Sequence, residues 1–171
     1  LVGIAGILYL LLKDPRFDRF AEASAEVGTV FSLVMLTTGP IWAKPVWGTW
    51  WTWDARLTLT LFLFLLFLGY LLLRGAVTEP GLRARYSAVL GICGLVLLPF
   101  IHLSVYLFRT LHPQPIVLKP SAPSLPGPML VTLLLSFGVF TLLYVGFVVQ
   151  RYALGLLREQ GERSGGGRTH A

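Results

Sequence analysis

Charge is scarce in this chain. Only 13% of its 171 residues are Asp, Glu, Lys or Arg, about half the share in a soluble domain. A water-soluble globule of this size could not cover its surface with so few charges. The 55% hydrophobic content and a mean hydropathy of +0.73 exclude a disordered chain as well. Cysteine is nearly absent: Cys93 stands alone, which excludes a disulfide scaffold. Basic clusters are missing too. The 14 Lys+Arg against 8 Asp+Glu give a net charge of +6, but they are scattered, so no nucleic-acid surface is expected. No nucleophile with its base, no metal cluster and no phosphate loop can be found. The expectation is a protein that is not an enzyme and that takes any ATP hydrolysis from a partner. A polytopic protein surrounded by membrane lipids is the class that remains.

What is present divides into spans. Uncharged runs cover 1–12, 27–43, 57–73, 86–108 and 120–150. A helix crossing the bilayer core needs about 20 apolar residues, with a range of about 17–25. The last four runs qualify, once 120–127 is set aside as a Pro-rich loop. The first is too short and opens on Leu1 within an apolar pattern, with neither a basic n-region before it nor an A-x-A site after it. It reads as the tail of a span that starts upstream. The fold class is therefore all-α, a polytopic helical membrane bundle with four full transmembrane helices plus part of a fifth. Residues 1–150 form the membrane domain, and 151–171 form a flexible tail whose Ser164–Arg168 stretch is Gly-rich.

The connecting segments set the orientation. Lys13, Arg16, Arg19, Arg74, Arg83, Arg85, Arg151, Arg158, Arg163 and Arg168 share one side and make 10 of the 14 basic residues. Lys44, Arg56, Arg109 and Lys119 occupy the other. The positive-inside rule puts the first group, and the C-terminus, in the cytoplasm. By parity, the segments 44–56 and 109–127 emerge together on the outer face.

Four of the five Trp fall within seven residues of the first outer loop, Trp47, Trp50, Trp51 and Trp53, with Trp42 just upstream. One or two Trp would serve as interface anchors; this density, closed by Asp54-Ala55-Arg56, exceeds anchoring. A helical stretch would put Trp47, Trp50, Trp51 and Asp54 on one face as a flat aromatic shelf. Such a shelf suits a large planar apolar ligand by stacking or a cation, and the residues alone do not choose between them. Asp54, the one acidic residue on that side, can cap the following helix, pair with Arg56 or meet a ligand. Arg56 can snorkel or bind a ligand carboxylate.

Three histidines complete the inventory. His170 lies in the tail. His112 follows the fourth run on the outer face; a lone loop histidine is commonly just a solvated residue, but a neutral imidazole beside an aromatic shelf could also ligate a porphyrin iron. His102 lies inside the fourth run, about 10 Å below Arg109 at 1.5 Å per residue. It either bonds a neighbouring helix through a carbonyl freed by Pro99 or marks a functional path.

The run Gly39-Pro40-Ile41-Trp42-Ala43-Lys44-Pro45-Val46-Trp47-Gly48-Thr49-Trp50-Trp51-Thr52-Trp53-Asp54-Ala55-Arg56-Leu57-Thr58 resembles the signature of the cytochrome c maturation protein C family, also called haem exporter protein C. Leu98-Pro99-Phe100-Ile101-His102-Leu103-Ser104-Val105, continuing to Arg109-Thr110-Leu111-His112, is similar to that family's approach to its third outer loop. The resemblance runs from about Leu1 to Arg151. It implies a six-span protein of the bacterial inner membrane that holds haem at the outer, periplasmic face and loads the haem chaperone, cytochrome c maturation protein E. Further implied partners are an ABC transporter complex, made of cytochrome c maturation proteins A and B, and the small cytochrome c maturation protein D. Matched residue by residue, His112 is the second of two axial iron ligands; the first would precede Leu1. Trp42, Trp47, Trp50, Trp51, Trp53 and Asp54 match the loop that contacts haem and chaperone, and Arg56, Arg109 or Lys119 could meet the propionates. Two other functions stay open: a permease component that translocates haem, for which His102 would speak, and a cytochrome c haem synthase. Relatives of the synthase type have Trp-Asp-Pro where this chain has Trp53-Asp54-Ala55, which argues against the last.

Overall fold

The computed structural model describes residues 1–108, 110–113, 115–117, 119 and 121–166, with side chains as far as Gly161. Arg109, Arg168 and His170 lie outside the described residues. Among those described, five helices make up the fold: α1 (Val2–Leu12), α2 (Pro15–Trp47), α3 (Ala55–Ala76), α4 (Pro80–Leu107) and α5 (Gly127–Gly166). Each of α2 to α5 is long and apolar enough to cross a membrane, and α1 is a shorter apolar helix. The protein is an all-helical membrane protein of four spans and a fifth helix.

The helix starts follow local chemistry. Asp14 precedes Pro15 and its carboxylate accepts from the Arg16 N–H at 2.9 Å, the cap-then-Pro order that opens a helix. Glu79 caps α4 in the same way, accepting from the N–H groups of Gly81 and Leu82, with Pro80 at the first position. Asp54 caps α3 through the Leu57 N–H at 2.8 Å.

Small residues let the inner helices close. Gly3 and Gly6 of α1 lie on Gly91 and Ala88 of α4; a Cβ on Gly3 would stand 2.6 Å from the Gly91 carbonyl oxygen and 2.5 Å from the Leu95 Cβ. The core beside this contact is Val2, Ala5, Ala21, Ala25 and Tyr70. Helices in lipid gain little from excluding water, so close backbone approach through small side chains carries their association. Among the described residues α5 packs on α2 alone, through Tyr144 and Val148 against Ala23, Val27 and Phe31. Its outer half, with Leu134, Phe137 and Phe140, is exposed, as a lipid-facing surface would be.

Two helices outrun the uncharged stretches that announce them. α2 begins at Pro15, not near 27, and α5 continues unbroken past Gln150 to Gly166. Counting uncharged residues marks the hydrocarbon core, whereas a helix continues as long as its residues favour it. The added turns meet each other through charge. Asp18, Glu22 and Glu26 fall on one face of α2 at four-residue spacing. Asp18 and Glu22 take the guanidinium of Arg74 in α3 at 2.6 and 2.7 Å, and Glu26 takes Arg151 of α5. Next to Asp18 in the chain, Arg19 pairs with Glu159. The ends carrying Lys13, Arg19, Arg74, Arg83 and Glu159 surround one polar cavity, so the segments grouped by charge do share one end of the bundle.

Candidate functional site

The opposite end is built from the top of α2, the 48–54 loop, the start of α3 and the loop after α4. α2 stops at Trp47 because Gly48 turns left-handed (φ 76°) while its N–H bonds back to the Lys44 carbonyl at 3.0 Å. Lacking a Cβ, glycine takes that conformation without penalty. Lys44 Nζ then donates to the Gly48 carbonyl at 3.0 Å, closing the turn. Beyond it the chain is non-helical until Ala55.

The Trp cluster is therefore not the single helical face, nor the flat shelf, that its spacing predicts. Trp42 and Trp47 meet edge to face with centroids 5.2 Å apart, and Trp51 and Trp53 do the same at 5.8 Å. Edge-on pairs of this kind suit the ring quadrupole and form angled walls. A cavity of about 410 Å³ opens between them, lined by Trp42, Trp47, Trp50, Trp51, Arg56 and His112. This volume falls within the roughly 300–1,000 Å³ of small-molecule sites. Trp53 is 75% exposed and stands outside the lining, against Trp51.

His112 is held from three sides. Its ring meets Trp47 edge to face at 4.8 Å. Its backbone N–H donates to the Thr110 hydroxyl at 3.1 Å, and that hydroxyl donates back to the His112 carbonyl at 3.2 Å. Its Nδ1 lies 3.3 Å from Asp54 Oδ2, which also accepts from the Leu111 N–H at 3.3 Å. The two outer segments that parity placed together are thus joined by Asp54. This carboxylate spends one oxygen on the α3 cap and the other on the His112 loop. It does not line the cavity; it stands behind His112.

The remaining expected site residues separate. Arg56 lines the cavity and forms no ion pair among the described residues. It does not pair with Asp54. Lys119 Nζ is engaged by the Ser124 hydroxyl and stands outside the lining. His102 is exposed on α4, its ring 6.2 Å from Tyr106. It neither bonds a neighbouring helix among the described residues nor lines the cavity. The cavity also has an apolar floor that sequence reasoning missed: Met35 and Leu36 of α2, Leu63 of α3, Leu98 and Ile101 of α4. Only packing selects these from the many similar residues along the spans. Among the described residues no group of three His, Cys, Asp or Glu could enclose a metal, so His112 offers a single ligand atom. Trp51 carries one further unsatisfied group, an indole N–H buried with no partner among the described residues.

A family profile described as "Heme exporter protein C" matches residues 1–165. The chain is similar to the heme exporter protein C of Haemophilus influenzae, 40% identical over 162 residues that cover 95% of this chain and 66% of that protein. It is similar to the protein of the same name from Bradyrhizobium diazoefficiens, 42% identical over 144 residues, 84% of this chain and 55% of the relative. A "Putative cytochrome c biosynthesis ccmC-like mitochondrial protein" of Marchantia polymorpha is 37% identical over 139 residues, 81% and 58% of the two chains. The chain spans between 55% and 66% of the length of these curated relatives.

Proposed function

The chain belongs to the haem exporter protein C family, and from that premise we propose that it holds haem at the outer face of a bacterial inner membrane and passes it to a haem chaperone during cytochrome c maturation. The observation that carries this reading is the cavity between the Trp walls, into which the His112 edge is set. The residues present fit the cargo. Indole walls and an aliphatic floor match a porphyrin plane, and a neutral imidazole is an iron ligand. The Arg56 guanidinium and the orphaned Trp51 N–H are donors suited to propionates. Lys119 and Arg109 remain further candidates from the sequence, the second outside the described residues. Trp53, exposed beside the cavity, is the indole best placed to meet the chaperone.

In this reading the Trp loop is periplasmic and the C-terminus cytoplasmic, which the bias of basic residues toward the other end supports. Energy for the cycle comes from the ABC transporter formed by cytochrome c maturation proteins A and B, joined by the small cytochrome c maturation protein D, because the chain contributes no phosphate-binding loop. Binding and release of haem are the chain's own work, and no bond-making step is assigned to it. The permease and synthase readings gain no comparable support.

The test is transfer. Full-length protein purified from haem-replete cells is mixed with apo-chaperone, cytochrome c maturation protein E, and haem is followed by absorbance on each partner after separation. The reading expects haem on the membrane protein first and on the chaperone after mixing. A protein that purifies without haem and takes up none when haem is added contradicts it.

A further inference from the structure

We propose that Asp54 is a positioning residue for His112 and does not itself touch the cargo. This deepens the proposed function and rests on its assignment of His112 as an iron ligand. Three observations support it. The Asp54 side chain is only 7% exposed against 22% for His112, and it is absent from the cavity lining. Both its oxygens are already committed, Oδ1 to the Leu57 N–H at 2.8 Å and Oδ2 to the Leu111 N–H and His112 Nδ1, each at 3.3 Å. And a carboxylate oxygen faces His112 Nδ1 at 3.3 Å, an acceptor that favours the tautomer with its proton on that nitrogen.

The consequence is chemical. With Nδ1 protonated toward Asp54, the lone pair lies on Nε2, which has no hydrogen-bond partner among the described residues. A carboxylate behind a ligating imidazole fixes its tautomer, holds the ring plane and raises its basicity. A more basic imidazole binds ferric iron more tightly and lowers the reduction potential of the bound haem. Asp54 also links ring to scaffold: the same side chain caps α3 at Leu57, so the His112 loop is tied to the first turn of a membrane helix. The acidic residue at the end of the Trp run is thereby assigned to the histidine of the other loop.

The experiment uses Asp54→Asn and Asp54→Ser in the full-length haem-loaded protein. Asn and Ser are both good N-caps, so α3 keeps its start while the carboxylate is lost. Haem release is timed with apomyoglobin as scavenger, and the reduction potential is measured by spectroscopic titration. Both variants are expected to release haem about 10- to 100-fold faster, the usual effect of removing a partner behind a metal ligand, and to show a potential shifted positive. The same substitutions are then made in a His112→Ala background loaded with added haem, which the Trp walls and floor of the cavity still hold. If Asp54 acts through His112, they change release there by less than about twofold, because coupled residues are not additive. Loss of the same size in both backgrounds would overturn the proposal and make Asp54 a direct haem contact. Wild-type release and potential in both Asp54 variants would overturn it as well. If His112→Ala alone leaves spectrum and release unchanged, the ligand assignment beneath it fails instead, a separable result.

Discussion

The two ends of the bundle use polar residues in opposite ways. At the charged end, Arg74, Arg19 and Arg151 find carboxylates on neighbouring helices, and each pair ties one helix to another. At the tryptophan end the single carboxylate, Asp54, meets backbone N–H groups and an imidazole. Arg56 there faces a cavity with no anion beside it among the described residues. The guanidinium groups of Arg74, Arg19 and Arg151 are paired across helices even though the Nε atoms of Arg74 and Arg83 have no partner among the described residues. Arg56, by contrast, has no carboxylate partner among them and under the proposed function is left for a ligand. Unmatched donors around an apolar cavity mark a binding site; matched pairs at helix crossings mark assembly.

Substitutions at the charged end should lower stability and spare binding. The largest effect is expected from Arg74→Ala. It removes a guanidinium whose residue is 7% exposed and its hydrogen bonds to Asp18 and Glu22, a loss of about 2–3 kcal/mol for bonds between charged groups. The check is the unfolding midpoint of purified protein in detergent, which should fall by several degrees while the haem spectrum at low temperature stays wild-type. Next comes Gly3→Val, which forces a side chain into the Gly91 carbonyl and the Leu95 side chain. Overpacking of that kind costs about 1–3 kcal/mol, read in the same melt.

The boundary between the two behaviours is Gly48. Gly48→Ala puts a Cβ on a left-handed residue, at a cost of about 1 kcal/mol, and nothing lies within 4 Å to clash with it. The expected outcome is a small drop in midpoint accompanied by weaker haem retention, because the turn sets the angle of the Trp walls. The smallest effect belongs to pH at the charged end. The Glu79 carboxylate is held below its ordinary value by the Leu82 and Gly81 N–H groups that it caps. Its contribution is therefore present above the ordinary carboxylate range and is lost as pH falls through the lowered value in the folded state. Melts taken across acidic pH should show a slightly shallower loss in Glu79→Gln than in wild type.

Much of this was legible in the sequence, and the rest was missed for physical reasons. Four spans, the grouping of basic segments at one end and the meeting of the 44–56 and 109–127 segments all follow from the charge pattern and parity. The cap at Asp54 follows from residue type. The shape of the aromatic cluster does not: helical spacing assumes a helix, and Gly48 ends it before Trp50. Nor does the Asp18–Glu22–Glu26 face, because charged turns beyond a hydrophobic core look like loop until a neighbouring helix supplies Arg74 and Arg151. Asp54 with His112 is a contact across 58 positions, visible only once both segments have converged.

Under the proposed function the tryptophan end binds and the charged end holds. That division is tested most directly by measuring haem per polypeptide and unfolding midpoint together in His112→Ala and Arg74→Ala of the full-length protein. The prediction is a crossed pattern: His112→Ala loses most of its haem while the haem-free midpoint is unchanged, and Arg74→Ala keeps its haem at low temperature while the midpoint falls. Full haem occupancy in His112→Ala together with haem loss in Arg74→Ala would contradict it.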